Sequence, residues 1–273
     1  RDPEMSRGLG DVYKRQAEPG QWSTERTPYL KAIMDAFCDP EVEDITFIKP
    51  SQVGGTECLN NIIGFIICQD PCPVLVVYPT LELAEYTSKN RIQPMIKSSE
   101  SINSRYNSDD SKILELQFDG MYLVLSGANS PASLASRPIR ILLLDEIDKF
   151  PRFSGKEADP ISLAKERQKT FVANKKTFKA STPTTRIGPI FKSWNEADSQ
   201  YNYFVACPQC GHYQVLSFKN VKWPQNVKTP DEVLTSAYYQ CESCKGHIND
   251  YQLSQMIKTG EWRAIKSLSL IHI

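Results

Sequence analysis

Apolar positions follow two rhythms along the chain. From Thr24, the stretch TERTPYLKAIMDAFCD places Tyr29, Ile33 and Phe37 at helical spacing and predicts an amphipathic helix. Mostly apolar runs at residues 45–48, 73–79 (PVLVVYP) and 139–144 predict short buried strands, with a further strand at 176–180. Residues 56–69 (TECLNNIIGFIICQ) and 81–98 read as helices between them. ILELQF and MYLVLS flank Asp119-Gly120, a hairpin turn dipeptide, and predict a β-hairpin at a sheet edge. Strands alternating with helices predict an α/β fold, a mostly parallel sheet with helices on both faces. After about Tyr201 the texture changes to aromatic residues, short strands and paired cysteines, so residues 17–200 and 201–266 are expected to form separate units.

Composition narrows this picture. At 273 residues the chain can bury one sizeable core and carry an appendage. With 40% hydrophobic and 23% charged residues it reads as soluble and globular, and no apolar run is long enough to span a bilayer. Lys plus Arg equals Asp plus Glu at 32 each, so any nucleic-acid contact must come from a local patch. Two patches stand out: Lys165, Arg167, Lys169, Lys175, Lys176 and Lys179, and the basic-aromatic group Lys219, Lys222, Trp223 and Lys228. Each reads equally as a solvated charged face or loop. Residues 1–16 (RDPEMSRGLGDVYKRQ) and 267–273 (SLSLIHI) resemble translated sequencing adapter, and the natural segment is expected to be 17–266 of a longer protein.

The first chemistry lies between the strand at 45–48 and the helix at 56–69. A phosphate loop of the form G-x-x-x-x-G-K-[ST] gathers backbone N–H groups round a phosphate, with a lysine countering charge and a hydroxyl on Mg2+. Here the window is Lys49-Pro50-Ser51-Gln52-Val53-Gly54-Gly55-Thr56. Gly54 and Thr56 match; the lysine stands at the first position and glycine at the seventh. A lysine is long and flexible enough to reach the β- and γ-phosphates from Lys49. The plainer alternative is a helix N-terminus capped by Thr56.

The run ILLL ends at Asp145-Glu146. In phosphate-loop enzymes the first such acid holds Mg2+ and the second orients the attacking water, so Asp145 is the expected metal-side acid and Glu146 the catalytic base. A solvated turn is the alternative. Ser181, Thr182 and Thr184 follow the next strand, Pro79-Thr80 an earlier one, and Arg137 and Arg140 precede the acidic strand. Polar groups at strand ends are placed to sense a γ-phosphate and an arginine near them to stabilise transferring charge, in cis or from a neighbouring subunit, though Pro-Thr and Ser-Thr-Pro are also ordinary turn chemistry.

Of eight cysteines, Cys207, Cys210, Cys241 and Cys244 form two C-x-x-C pairs, which suit a structural, tetrahedral Zn2+ in a zinc ribbon. Disulfides are the competing reading. His212 and His247 lie beside the pairs and are not needed as ligands. Cys38, Cys58, Cys68 and Cys72 are expected in the core.

Taken in order, KPSQVGGTE, YPTLELAEYTSKNRIQPMI, GANSPASLASRPIRILLLDEIDKFP, KASTPT and CPQCG resemble the large subunit of lambda-type phage terminases over nearly all of residues 17–266. The resemblance implies a RecA-like P-loop ATPase that uses ATP and Mg2+ to drive double-stranded DNA into a procapsid. It also implies a homo-oligomer acting in the host cytoplasm with a small terminase subunit and a portal ring, and a nuclease domain towards the carboxyl end. By resemblance Lys49, Gly54 and Thr56 match the phosphate-loop motif, Asp145 and Glu146 the acidic motif, and residues 181–184 the segment that couples hydrolysis to movement. Gln21-Trp22 with Arg26-Thr27-Pro28-Tyr29 resembles the segment before the phosphate loop, where an aromatic or amide contacts adenine or Trp22 staples the first helix. A helicase-like DNA-remodelling ATPase and a non-hydrolysing zinc-ribbon scaffold are the other readings.

Overall fold

The computed structural model describes residues 23–134, 137–154, 158–226 and 229–266. They fall into two compact units, Ile33–Glu196 and a second comprising Thr24–Ala32 with the residues from Ala197 onward. Gln21, Trp22, Lys228 and the two chain ends lie outside the described residues, so expectations placed there stay as stated.

In chain order the first unit contains most of α1 (Tyr29–Cys38), then β1 (Asp44–Ile48), α2 (Gly55–Gln69), β2 (Val74–Tyr78), α3 (Leu81–Thr87), α4 (Gln93–Ser98) and α5 (Glu100–Asn103). After these come β3 (Tyr106–Lys112), β4 (Glu115–Phe118), β5 (Met121–Gly127), α6 (Pro131–Leu134), β6 (Ile141–Asp145), α7 (Pro160–Glu166), β7 (Lys176–Ser181) and α8 (Pro189–Glu196). The seven strands lie in the order β1-β7-β6-β2-β5-β4-β3. Neighbours from β1 to β5 pair in parallel, and β4 and β3 add an antiparallel edge.

Both faces of the sheet centre are dry. Every residue of β2 and β6 is buried. Leu75, Val77, Leu142 and Leu144 pack with Leu134, Ala164 and Ile190 from α6, α7 and α8. Their alternates Val74, Val76 and Leu143 point to the other face and are equally inaccessible. Burial of each such side chain contributes about 1.5–3 kcal/mol.

The expected helix over 81–98 is broken into α3, a π-helical turn Ser88–Ile92, and α4. Pro94 explains the break: it has no N–H to donate and its ring crowds the carbonyl one turn back, which the wider turn accommodates. The hairpin turn lies at Asp119-Gly120, with Gly120 at φ 74. Its second strand, β5, is interior and parallel to β2, and the edge strand is the polar β3.

The second unit has two three-stranded sheets, β10-β11-β12 and β13-β8-β9. They are built from β8 (Gln200–Ala206), β9 (Tyr213–Val215), β10 (Val221–Lys222), β11 (Tyr238–Gln240), β12 (His247–Ile248) and β13 (Glu261–Lys266). Two helices, α9 (Pro230–Ser236) and α10 (Asp250–Lys258), each start with a capping box. Trp262 donates its indole N–H to the Tyr29 carbonyl at 2.8 Å, and Tyr203 meets both rings edge-on. Among the described residues no helix is long and apolar enough to cross a membrane.

Candidate nucleotide site and cysteine cluster

Strand order brings three sequence segments to one place. β7 lies between β1, which leads into the phosphate loop, and β6, which ends at the acid pair. Their carboxyl ends are tied together: Lys49 N–H donates to the Ser181 carbonyl at 3.1 Å and Glu146 N–H to the Ala180 carbonyl at 2.8 Å. The carboxyl ends of parallel strands are where open α/β sheets bind ligands.

Within the loop, Gln52 (φ 62) and Gly54 (φ 76) are left-handed while Val53 between them is not, the alternation from which backbone anion nests are made. Ser51 and Gln52 are exposed, Val53, Gly54 and Thr56 partly so, and Gly55 is buried at the start of α2. Glycine at 55 has a specific cause. A Cβ there would lie 2.4 Å from Lys49 Cδ and 2.5 Å from Cε. The lysine of the first loop position therefore runs over the seventh, where a side chain would have to displace its flexible end.

Lys49 is buried and its Nζ reaches Glu146 Oε1 at 2.5 Å. Lys149 Nζ stands 3.1 Å from the other Glu146 oxygen. Burial alone raises the Glu146 pKa, but the hydrogen bond and charge of Lys49, with Lys149 adding to them, hold it below the usual carboxylate range. Glu146 is itself left-handed at φ 57, an uncommon conformation for a residue with a side chain. Asp145 contrasts with it. Burial pushes its pKa up to about 6 against the opposing charge of Lys49, and its Oδ1 is buried without a hydrogen-bond partner. A buried, unpaired carboxylate oxygen fits a cation ligand, and the alternating backbone of the loop at Gln52 to Gly54 fits an anion.

Ser181 and Thr184 join the cluster through a residue that sequence reasoning did not single out, Asp148. Its N–H donates to Ser181 Oγ at 3.1 Å, and its carboxylate accepts from Thr184 N–H at 2.8 Å and Thr184 Oγ1 at 3.2 Å. Thr182 contributes its carbonyl, which accepts from Ser181 Oγ at 3.1 Å. The signal for Asp148 was its place in DEID, directly after the acid pair.

Within the chain, Arg137 and Arg140 are not brought to this cluster. Both precede β6, whose five residues separate them from Glu146 by roughly 15–20 Å. Arg137 forms a two-pronged pair with Glu115 at 2.6 and 3.1 Å and lies over the Tyr122 ring, and Arg140 pairs with Asp70. Thr80 does sit at a strand end, where its hydroxyl caps α3 by accepting from Leu83 N–H.

The dense basic stretch is also committed internally. Lys165 and Lys179 pair with Asp44, Lys169 with Glu166 and Lys175 with Glu43, while Lys176 donates to the Val42 carbonyl. Three carboxylates, Asp44, Glu166 and Glu43, thus offset part of the charge of the stretch. In the other patch Lys219 pairs with Glu242 at 3.3 Å, and Lys222 and Trp223 are exposed.

Cys207, Cys210, Cys241 and Cys244 converge, their sulfurs all within 4.8 Å of one another. One pair turns between β8 and β9 and the other between β11 and β12, and the turns match. Cys207 N–H donates to the His212 carbonyl at 2.9 Å and Cys241 N–H to the Gly246 carbonyl at 3.0 Å. The residue after each second cysteine is left-handed, Gly211 at φ 71 and Lys245 at φ 61. Sulfur separations of 3.9 Å (Cys207 to Cys244) and 3.8 Å (Cys210 to Cys241) match the edge of a tetrahedron with zinc–sulfur bonds of about 2.3 Å. His247 stacks on Tyr238. Cys58 and Cys72 are buried and Cys38 and Cys68 partly so, with burial pushing the Cys58 thiol to about 12 and that of Cys72 to about 11.

Comparison with known proteins agrees with this geometry. Residues 16–262 match the family described as "Phage terminase large subunit gpA, ATPase domain". The terminase large subunit of Enterobacteria phage P21 is 25% identical over 251 residues, covering 89% of this chain and 38% of its own length. That of Escherichia phage lambda is 25% identical over 233 residues, covering 82% and 36%. The chain thus spans less than two fifths of the curated relatives it matches. The large terminase of bacteriophage HK97 shares the fold at a TM-score of 0.54 and 11% identity, covering 71% of this chain and 40% of that one. With the family matched across most of its length, this chain belongs to the ATPase-domain family of phage terminase large subunits.

Proposed function

We propose that this chain is the ATP-hydrolysing motor part of a terminase large subunit that translocates double-stranded DNA into a procapsid. The observation that carries this reading is the convergence of Lys49, Asp145 and Glu146 at the carboxyl ends of strands separated by β7. The proposed ATPase domain is 17–200 and the zinc-ribbon region 201–266, with the break after Glu196 supporting the boundary.

Ser51, Gln52, Val53, Gly54, Gly55 and Thr56 cradle the nucleotide phosphates, and Lys49 supplies positive charge to the transferred group. Thr56 and Asp145 would hold Mg2+, which supplies neutralisation of developing negative charge on the phosphates. Glu146, kept ionised by Lys49 and Lys149, aligns the attacking water and takes its proton. Ser181, Thr182 and Thr184 couple this centre to movement. The four cysteines would hold a structural Zn2+, which would supply stability to the second unit rather than catalysis. The proposed setting is the host cytoplasm, in a homo-oligomer with double-stranded DNA, a small terminase subunit and a portal ring as partners, and with nuclease activity in a further carboxyl-terminal domain.

The test is Mg2+-dependent ATP hydrolysis by the chain with and without duplex DNA. Lys49→Ala should abolish turnover, and Glu146→Gln should lower kcat by about 10²-fold or more while nucleotide still binds. Hydrolysis unaffected by both substitutions would refute the assignment.

A further inference from the structure

Asp148 sits two residues past the catalytic base on the short 3-10 turn Ile147–Lys149. Oδ2 of its carboxylate accepts both donors of Thr184, and Oδ1 accepts from Ile190 N–H at 2.8 Å, in the first turn of α8. Its own N–H is held by Ser181 Oγ. The backbone closes round it tightly, since a Cβ at Gly188 would lie 2.5 Å from Oδ2. Residues 184–190 are thereby wrapped about one carboxylate, whose negative charge also suits the start of a helix. Next to Asp148, Ile147 is fully buried and packs in the same core as Ile190.

We propose that Asp148 is a positioning residue that transmits the state of the acid loop to the segment 181–190 and to α8. This rests on the nucleotide reading above and deepens it. Any shift of Glu146, when its partner Lys49 turns to a phosphate, passes along the hydrogen-bonded turn to Asp148. The carboxylate then carries Thr184 and Ile190 with it. The segment so held presents Ile187 to solvent at 93% exposure, so the motion emerges at the surface. Hydrogen bonds to an ionised carboxylate are roughly twice as strong as neutral ones, so the segment follows the carboxylate that holds it.

The test uses Asp148→Asn, which keeps the shape but replaces one acceptor oxygen by a donor facing N–H groups, alone and combined with Thr184→Val. Three quantities are read: the Kd of a fluorescent ATP analogue with Mg2+, kcat, and hydrogen exchange at the Thr184 and Ile190 amides with and without nucleotide. Thermal melting confirms the fold. The expected result is a Kd within about twofold of wild type and a kcat lower by roughly ten- to a hundredfold. The nucleotide-dependent change in exchange at residues 184 and 190 should be lost, and Thr184→Val should add little once Asp148 is changed. Wild-type nucleotide binding with an Asp148→Asn variant that matches it in kcat and exchange overturns the role alone. Parallel loss of Kd, kcat and melting temperature overturns it in favour of a purely structural contact. A wild-type chain that binds no nucleotide fails the nucleotide reading first and this role with it.

Discussion

At the scale of single residues, the loop's two departures from the usual pattern are one change. Lys49 crosses the space that a side chain at position 55 would fill, so with glycine there the lysine at the start can lie across the loop undisturbed. Gly55→Ala is therefore expected to displace Lys49 and weaken nucleotide binding by roughly tenfold or more, with little loss of fold because the residue begins a helix that alanine favours. Nucleotide titration beside a thermal melt separates the two effects, and unchanged affinity would show that Lys49 need not lie there. Asp145 gives a pH prediction. Its pKa of about 6 lies above the 3.8 of an unburied aspartate, so the fold holds the proton more tightly than the unfolded chain does. Stability from this residue is full below about pH 4 and is lost as pH rises through 6. Asp145→Asn should thus stabilise the chain by on the order of 3 kcal/mol at pH 8 and by almost nothing at pH 4. Urea melts without added Mg2+ check this, and an equal effect at both pH values would exclude a buried carboxylate as the cause.

At the scale of elements, what could be read in sequence was what burial had written there. β2 and β6 are apolar because both faces of a parallel sheet are covered, and each appeared as a run bounded by polar turns, whereas β1 (DITFI) and β7 (KTFKAS) carry polar residues among their apolar ones. β3 was not legible: its residues are polar and half of the pairing signal lies in a bulged register with β4. Helical periodicity across 81–98 carried the apolar face but not the π turn that Pro94 imposes. Charge was the poorest guide. Arg137, Arg140 and the lysines of 165–179 looked unpaired in one dimension, yet Glu115, Asp70, Asp44 and Glu43 meet them from distant parts of the chain. Asp148 was hidden for the same reason, since all its side-chain partners lie beyond β7.

For the whole molecule, the two units rest on different kinds of stability. The first has a deep core spread over a seven-stranded sheet. The second has a core of Val205, Cys207, Tyr239, Cys241, Ile248 and Met256, in which two of the buried side chains are themselves members of the cysteine cluster. A core this small seldom holds a domain without a metal or disulfides, and no disulfide joins any of the eight cysteines. Zinc bound by the four converging sulfurs would therefore supply much of the second unit's folding free energy. Purified chain is expected to carry one zinc, and a strong zinc chelator should release it while amides of β8, β11 and β12 lose their exchange protection. Amides of β2 and β6 should stay slow, because nothing in their core depends on sulfur. Cys241→Ser should reproduce the chelator's effect without chelator. Retention of protection in β8, β11 and β12 after zinc has left would mean that packing alone holds the second unit, and the cysteine cluster would then need another explanation.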